Sequence, residues 1–219
     1  MKQFQCVLPL LLTLSLAACG GGDDAGNGGD TGSPAVPKVS VDALPAGSYT
    51  VAIGDADAPQ VGQYYSGSDG SRLLLVNDGN EVARTLYKQN ASGVWAAVPV
   101  PKADVNIQLL SRESRISPTV DAAQNAGRYT VALTAGEATF SLSAQGAITA
   151  IGEGCRISGQ TGASPLPAAQ ALTLTFSGCD GLPASATGVL LADPDYAPAK
   201  LRLVVDDGNK LVDLWAYPA

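Results

Sequence analysis

The sequence predicts an all-β protein, an antiparallel barrel or sandwich of short strands, and three observations carry that prediction. Apolar and polar residues alternate with period two over short runs. Turn-forming residues separate those runs at intervals of roughly 8–12 positions. No segment sustains a 3.6-residue apolar stripe bounded by helix caps.

Taken in order, the first run is Tyr49, Val51 and Ile53, alternating with Thr50 and Ala52. Segments 71–77 and 81–88 read as two strands joined through Asn77-Asp78-Gly79-Asn80. Val105, Ile107 and Leu109 alternate with Asn106 and Gln108, and residues 117–126 form the longest expected connection. Beyond it, Tyr129, Val131 and Leu133 alternate with Thr130 and Ala132, and Phe140 and Leu142 with Ser141 and Ser143. Leu172, Leu174 and Phe176 alternate with Thr173 and Thr175. Segments 200–205 and 210–217 close the series around Asp206-Asp207-Gly208-Asn209, which matches the first Asp-Gly turn position by position. Asp-Gly suits a two-residue hairpin turn, whose central residues take positive φ. The run 47–53 also echoes 127–133, but the two echoes have different spacings and define no single repeat. Residues 47–219 are therefore expected to form one β-rich domain, with a split into two lobes near 115–126 as the alternative.

The amino-terminal part obeys different rules. Lys2 precedes an apolar run from Val7 to Ala18 that small residues close, which is the layout of an export signal over residues 1–18. That run is too short for a spanning helix, which needs about 20 residues. Leu16-Ala17-Ala18-Cys19 resembles the lipobox of bacterial lipoproteins. The resemblance implies that the Cys19 thiol is lipidated and the signal cut before it. Two or three acyl chains, each gaining about 0.8 kcal/mol per buried CH2, would make the anchor permanent. Gly20 stands where an aspartate favours inner-membrane retention in such lipoproteins, so the resemblance implies the outer membrane. Residues 19–46 then read as the lipidated cysteine and a flexible Gly-, Asp- and Pro-rich tether.

Charge and cysteine usage narrow the function classes. The chain carries a net charge of −7, and loss of the signal removes Lys2 and no acid. A negative surface repels phosphate backbones, so no nucleic-acid partner is expected. Cys6 leaves with the signal and Cys19 carries lipid, which leaves Cys155 and Cys179 to pair in an oxidising compartment. In the chain-entropy model a loop of that size is worth roughly 3 kcal/mol. The sequence contains no histidine, which removes Ser-His-Asp and Cys-His catalysis and histidine-ligated zinc. No metal and no cofactor are expected.

Gln63-Tyr64-Tyr65-Ser66-Gly67, followed by a leucine-rich strand and an Asp-Gly turn, resembles a group of uncharacterised proteobacterial lipoproteins. So does Gly154-Cys155-Arg156-Ile157-Ser158-Gly159, followed by an alternating strand that ends at Cys179. The chain departs from that group in the short stretch between its cysteines and in carrying Leu166-Pro167-Ala168 where the group is more basic. The resemblance implies a fold and a location, and no activity.

The remaining chemistry is sparse. Paired acids at Asp55 and Asp57, Asp193 and Asp195, and Asp206 and Asp207 all lie in turn contexts, where aspartate bonds its own backbone. Asp213 lies between Leu211 and Trp215 on one strand face, so it is expected to find a cation in Arg72, Arg84 or Arg202. Tyr64, Tyr65 and Trp95 are the binding candidates, while Trp215 reads as core. The expected function is a non-enzymatic interaction module, anchored to the membrane by lipid and contacting another envelope or extracellular protein. The alternative is a lipocalin-like carrier of a small apolar ligand, which would need an interior lined by Ala, Ser and Thr rather than by Leu172, Leu174, Phe176 and Phe140.

Overall fold

The computed structural model describes residues 36–219. The export signal, Cys19 and the first part of the tether lie outside the described residues. The described part forms one compact unit, Val36–Ala219, built almost wholly of strands.

The carboxy-terminal half is a closed antiparallel barrel of eight strands. These are β9 (Gly127–Leu133), β10 (Gly136–Leu142), β11 (Ala147–Ile151), β12 (Arg156–Gly162), β13 (Ala169–Ser177), β14 (Ser185–Leu191), β15 (Leu201–Asp206) and β16 (Leu211–Pro218). Each strand pairs with the next, and β16 closes on β9 through Ala216 opposite Val131 and Tyr217 opposite Thr130. Alternation decides what faces inward. Leu172, Leu174 and Phe176 of β13 are buried while Thr173 and Thr175 between them are exposed. With Phe140, Ile157, Leu201, Leu203 and Leu214 they fill the interior, each such side chain contributing about 1.5–3 kcal/mol on burial. Val120 from the 117–126 connection joins the same core.

Two glycines allow the strands to close up. A Cβ on Gly159 would lie 2.0 Å from the Thr173 carbonyl oxygen, and one on Gly188 would lie 2.0 Å from that of Val204. Glycine within a strand marks such close backbone approach.

The amino-terminal half is an open six-stranded antiparallel sheet in the order β6-β5-β4-β3-β2-β8. Its strands are β2 (Gly47–Asp55), β3 (Ala58–Ser66), β4 (Arg72–Asn77), β5 (Ala83–Gln89), β6 (Trp95–Val98) and β8 (Leu109–Arg115). One face, carrying Tyr65, Leu73, Leu75 and Leu86, packs on the outside of the barrel against Val189, Leu191 and Val204. The other face, carrying Val51, Ile53, Tyr64, Leu74 and Val76, is covered by Val41 and Leu44. There β1 (Val39–Val41) pairs in parallel with β7 (Val105–Ile107). Folded structure therefore starts before Gly47, inside the stretch read as tether. Val39, Val41 and Leu44 are too few to announce a strand by periodicity, but the sheet face they cover needs them.

The hairpin turns also differ from expectation. Asp206 pairs with Leu211, so four residues rather than two form the second loop. In the first loop Asn77 pairs with Ala83 across a bulge, and the left-handed residue is Glu81, at φ 62°, not Gly79. The aspartates explain the change. Asp78 accepts the Asn80 and Val82 N–H groups, and Asp207 those of Asn209 and Lys210, building wider side-chain-supported turns. These N–H donors hold both carboxyls below the usual aspartate range, led by Asn80 for Asp78 and Lys210 for Asp207.

Candidate functional site

Strand alternation places Leu201, Leu203 and Val205 inside the barrel and Arg202, Val204 and Asp206 on its outside. On β16 the same rule turns Asp213 and Trp215 outward, with Trp215 directly opposite Arg202. The six-stranded sheet then covers this outer face, so Arg202 has no exposed surface at all.

A buried cation must be paired and its donors satisfied. Arg202 Nε donates to Asp213 Oδ1 at 2.9 Å and Nη2 to Oδ2 at 2.7 Å, a bidentate fork. The guanidinium sits 4.7 Å over the Trp215 ring. Its remaining N–H groups cross to the sheet. Nη2 donates to Asn77 Oδ1 at 2.9 Å and to the Glu81 carbonyl at 3.2 Å, and Nη1 to Gln63 Oε1 at 3.4 Å. Asp213 also accepts the Ala83 N–H at 2.7 Å. Burial alone would lower the Arg202 pKa, but its bonds to Asp213 hold it above the ordinary arginine value.

Around this pair lies a cleft of about 600 Å3 between sheet and barrel, within the range of small-ligand sites, roughly 300–1,000 Å3. One wall is the end of the β2–β3 hairpin, Pro59, Gln60 and Val61; another is the β4–β5 turn with Asp78 and Glu81. The barrel side presents Trp215 and Tyr196, whose rings meet edge-on at 4.8 Å. Tyr196 follows from the short 3-10 helix Pro194–Tyr196, and burial raises its hydroxyl above the ordinary tyrosine value. Arg115 at the end of β8 pairs with buried Asp193 and, at 3.2 Å, with exposed Asp195. Both cations of the cleft are thus neutralised by carboxylates.

Cys155 and Cys179 are joined, with S–S 2.01 Å, linking the β11–β12 and β13–β14 connections at one end of the barrel. Tyr64 and Tyr65 are buried on opposite faces of the sheet, Tyr64 under β1 and Tyr65 against the barrel. They serve as core instead of offering a surface, because both faces of β3 are covered. Trp95 is half-buried in the Tyr64 cluster. None of the three lines the cleft. Trp215, expected as core, lies half-buried on the outside of the barrel. Asp213 finds its cation in Arg202; Arg84 instead pairs with Asp78, and Arg72 donates to Gln89. Gln63, Asn77 and Glu81 were not expected as site residues. The available signal was Arg202 itself, a lone charge within Leu-Arg-Leu-Val-Val that must bring polar partners with it.

Fold and cleft together define an all-β architecture in which an open sheet packs on a closed eight-stranded barrel, over an ion pair buried in the barrel wall. No protein-family model, no curated protein and no solved structure matches the chain.

Proposed function

We propose that the chain is an envelope lipoprotein, anchored through Cys19 in the outer membrane, whose β domain is a non-enzymatic interaction module for another envelope or extracellular protein. The observation that carries this reading is the filled barrel interior, where Phe140, Leu172, Leu174 and Phe176 occupy the space that a carrier would keep for its ligand. Recognition then falls to the outer surface. Strand β8 stands at the end of the sheet, pairs among the described residues only with β2, and exposes Leu110, with Ile116 exposed just past its far end. Such an edge is where an extended segment of a partner adds as a further strand.

The test joins anchor and surface. The full chain expressed in a Gram-negative host with radiolabelled palmitate is expected to take up label in the outer-membrane fraction, and Cys19→Ser to take up none. Label in Cys19→Ser, or none in the parent chain, overturns the anchor. A photo-crosslinking residue at Arg112 is expected to capture a distinct protein that the same residue at exposed Glu137 on the barrel does not. Equal capture at both positions overturns the β8 surface.

A further inference from the structure

The cleft beside Arg202 goes beyond this reading, since it meets β8 only at its last residue, Arg115, and has donors and acceptors of its own. Arginine carries only N–H donors, so whatever it bonds must present oxygen. Arg202 therefore fixes Gln63 and Asn77 with their oxygens turned toward the guanidinium. Gln63 Oε1 is held further by the hydroxyls of Tyr65 and Tyr196, each donating at 3.3 Å. With their oxygens on the guanidinium, both amides keep their NH2 groups out of the ion pair; both residues line the cleft, and no hydrogen bond among the described residues uses either NH2 group. These donors are oriented by a buried network before any ligand arrives, which reduces the ordering cost of binding.

Acceptors line the same cleft. Glu81 is exposed at the rim, its carbonyl tied to Arg202 and its backbone held at φ 62°. A non-glycine residue in that region is uncommon and strained, and such strain persists where surrounding contacts impose it. Asp195, also on the cleft, is 82% exposed. Pro59 and Val61 add an exposed apolar strip on the hairpin wall, Val61 at 56% exposure.

This combination selects a ligand class. An anion meets Asp78, Glu81 and Asp195, while the two arginines are already spent on Asp213, Asp193 and Asp195. A simple amine satisfies the carboxylates but cannot accept from the two amides. A hydroxyl does both, accepting from an NH2 group and donating to a carboxylate, and a sugar ring adds C–H faces for Pro59 and Val61. We infer that the cleft binds a neutral saccharide, with Gln63 and Asn77 donating to its hydroxyl oxygens and Glu81 accepting from its hydroxyls.

Calorimetric titration of the full chain in detergent tests this. The probes are hexamers of maltose-, cellulose-, mannan-, galactan- and N-acetylglucosamine-type, with a heparin-derived hexamer as the anionic control. At least one neutral hexamer is expected to bind, and the heparin hexamer is not. Gln63→Glu and Asn77→Asp keep an oxygen toward Arg202 while replacing the NH2 donor. Each is expected to weaken binding about tenfold, as loss of one hydrogen bond predicts, with the thermal unfolding midpoint kept near that of the parent. The inference is overturned if no neutral hexamer binds, if the heparin hexamer binds more tightly, or if both variants bind as the parent does. Its failure is separable from that of the interaction module. Absence of sugar binding with capture intact at Arg112 removes only the cleft, whereas hydrolysis of a bound hexamer removes the non-enzymatic reading and keeps the site.

Discussion

Arg202 and Asp213 are the ion pair whose two side chains are both almost fully buried. Their side chains are 0% and 2% exposed, so neither charge has water to fall back on. Removing one partner strands the other, and Asp213→Ala is expected to cost about 3–5 kcal/mol. Replacing both, as in Arg202→Met with Asp213→Leu, is expected to recover part of that loss, because no uncompensated charge is left while the Ala83 N–H and the Glu81 carbonyl lose their partners. Urea unfolding followed by far-ultraviolet circular dichroism measures both. The need for this pair was legible in the sequence, since Asp213 stands between Leu211 and Trp215. Its choice of cation was not. Arg72, Arg84 and Arg202 are equivalent until β15 pairs with β16, whose register sets Trp215 opposite Arg202 and Asp213 opposite its neighbour Val204. The tyrosines teach the same lesson. Adjacent strand residues point to opposite faces, and both Tyr64 and Tyr65 stood as binding candidates. Both are buried because β1 covers one face and the barrel the other.

Among elements, the strands that read most clearly are those with one dry face. β13 alternates from Leu172 to Ser177 as its sequence does. β15 reads less cleanly because all six of its residues are buried, inward by the barrel core and outward by the sheet. Turn identity was legible at Asp78-Gly79 and Asp207-Gly208, but loop width was not, since it depends on which N–H groups each aspartate collects. Close strand approach was also hidden. Gly188 pairs with Leu172 on one side and Val205 on the other, and an added Cβ would meet the Val204 oxygen at 2.0 Å and the Val205 Cα at 2.8 Å. Backbone cannot rotate aside as a side chain can. Gly188→Ala is therefore expected to lose at least the upper part of the usual overpacking cost of about 1–3 kcal/mol. Gly162→Ala, where a Cβ meets nothing within 4 Å, is the matched control. Thermal midpoints of the two variants decide the point.

At the scale of the whole molecule, the barrel and the sheet share a single buried layer in which Tyr65, Leu75 and Leu86 interlock with Val189, Leu191 and Val204. Sheet and barrel are expected to melt in one calorimetric transition, with equal van't Hoff and calorimetric enthalpies. Two resolved transitions would mean that the shared layer contributes little. The sequence reads as one domain over 47–219, with a split near 115–126 only as the alternative, and it holds no record of this docking, because Val189, Leu191 and Val204 alternate as any barrel wall would. The seam between β9 and β16 sets the timing of folding as well as its end state. Ala216 meets Val131 only across almost the full length of the barrel sequence, and contacts of such separation form slowly. The same strand brings Asp213, so Arg202 waits for its counter-charge until β16 arrives. A chain threaded amino-terminus first through an export channel would thus cross with its barrel unsealed, and would lock shut only on the far side.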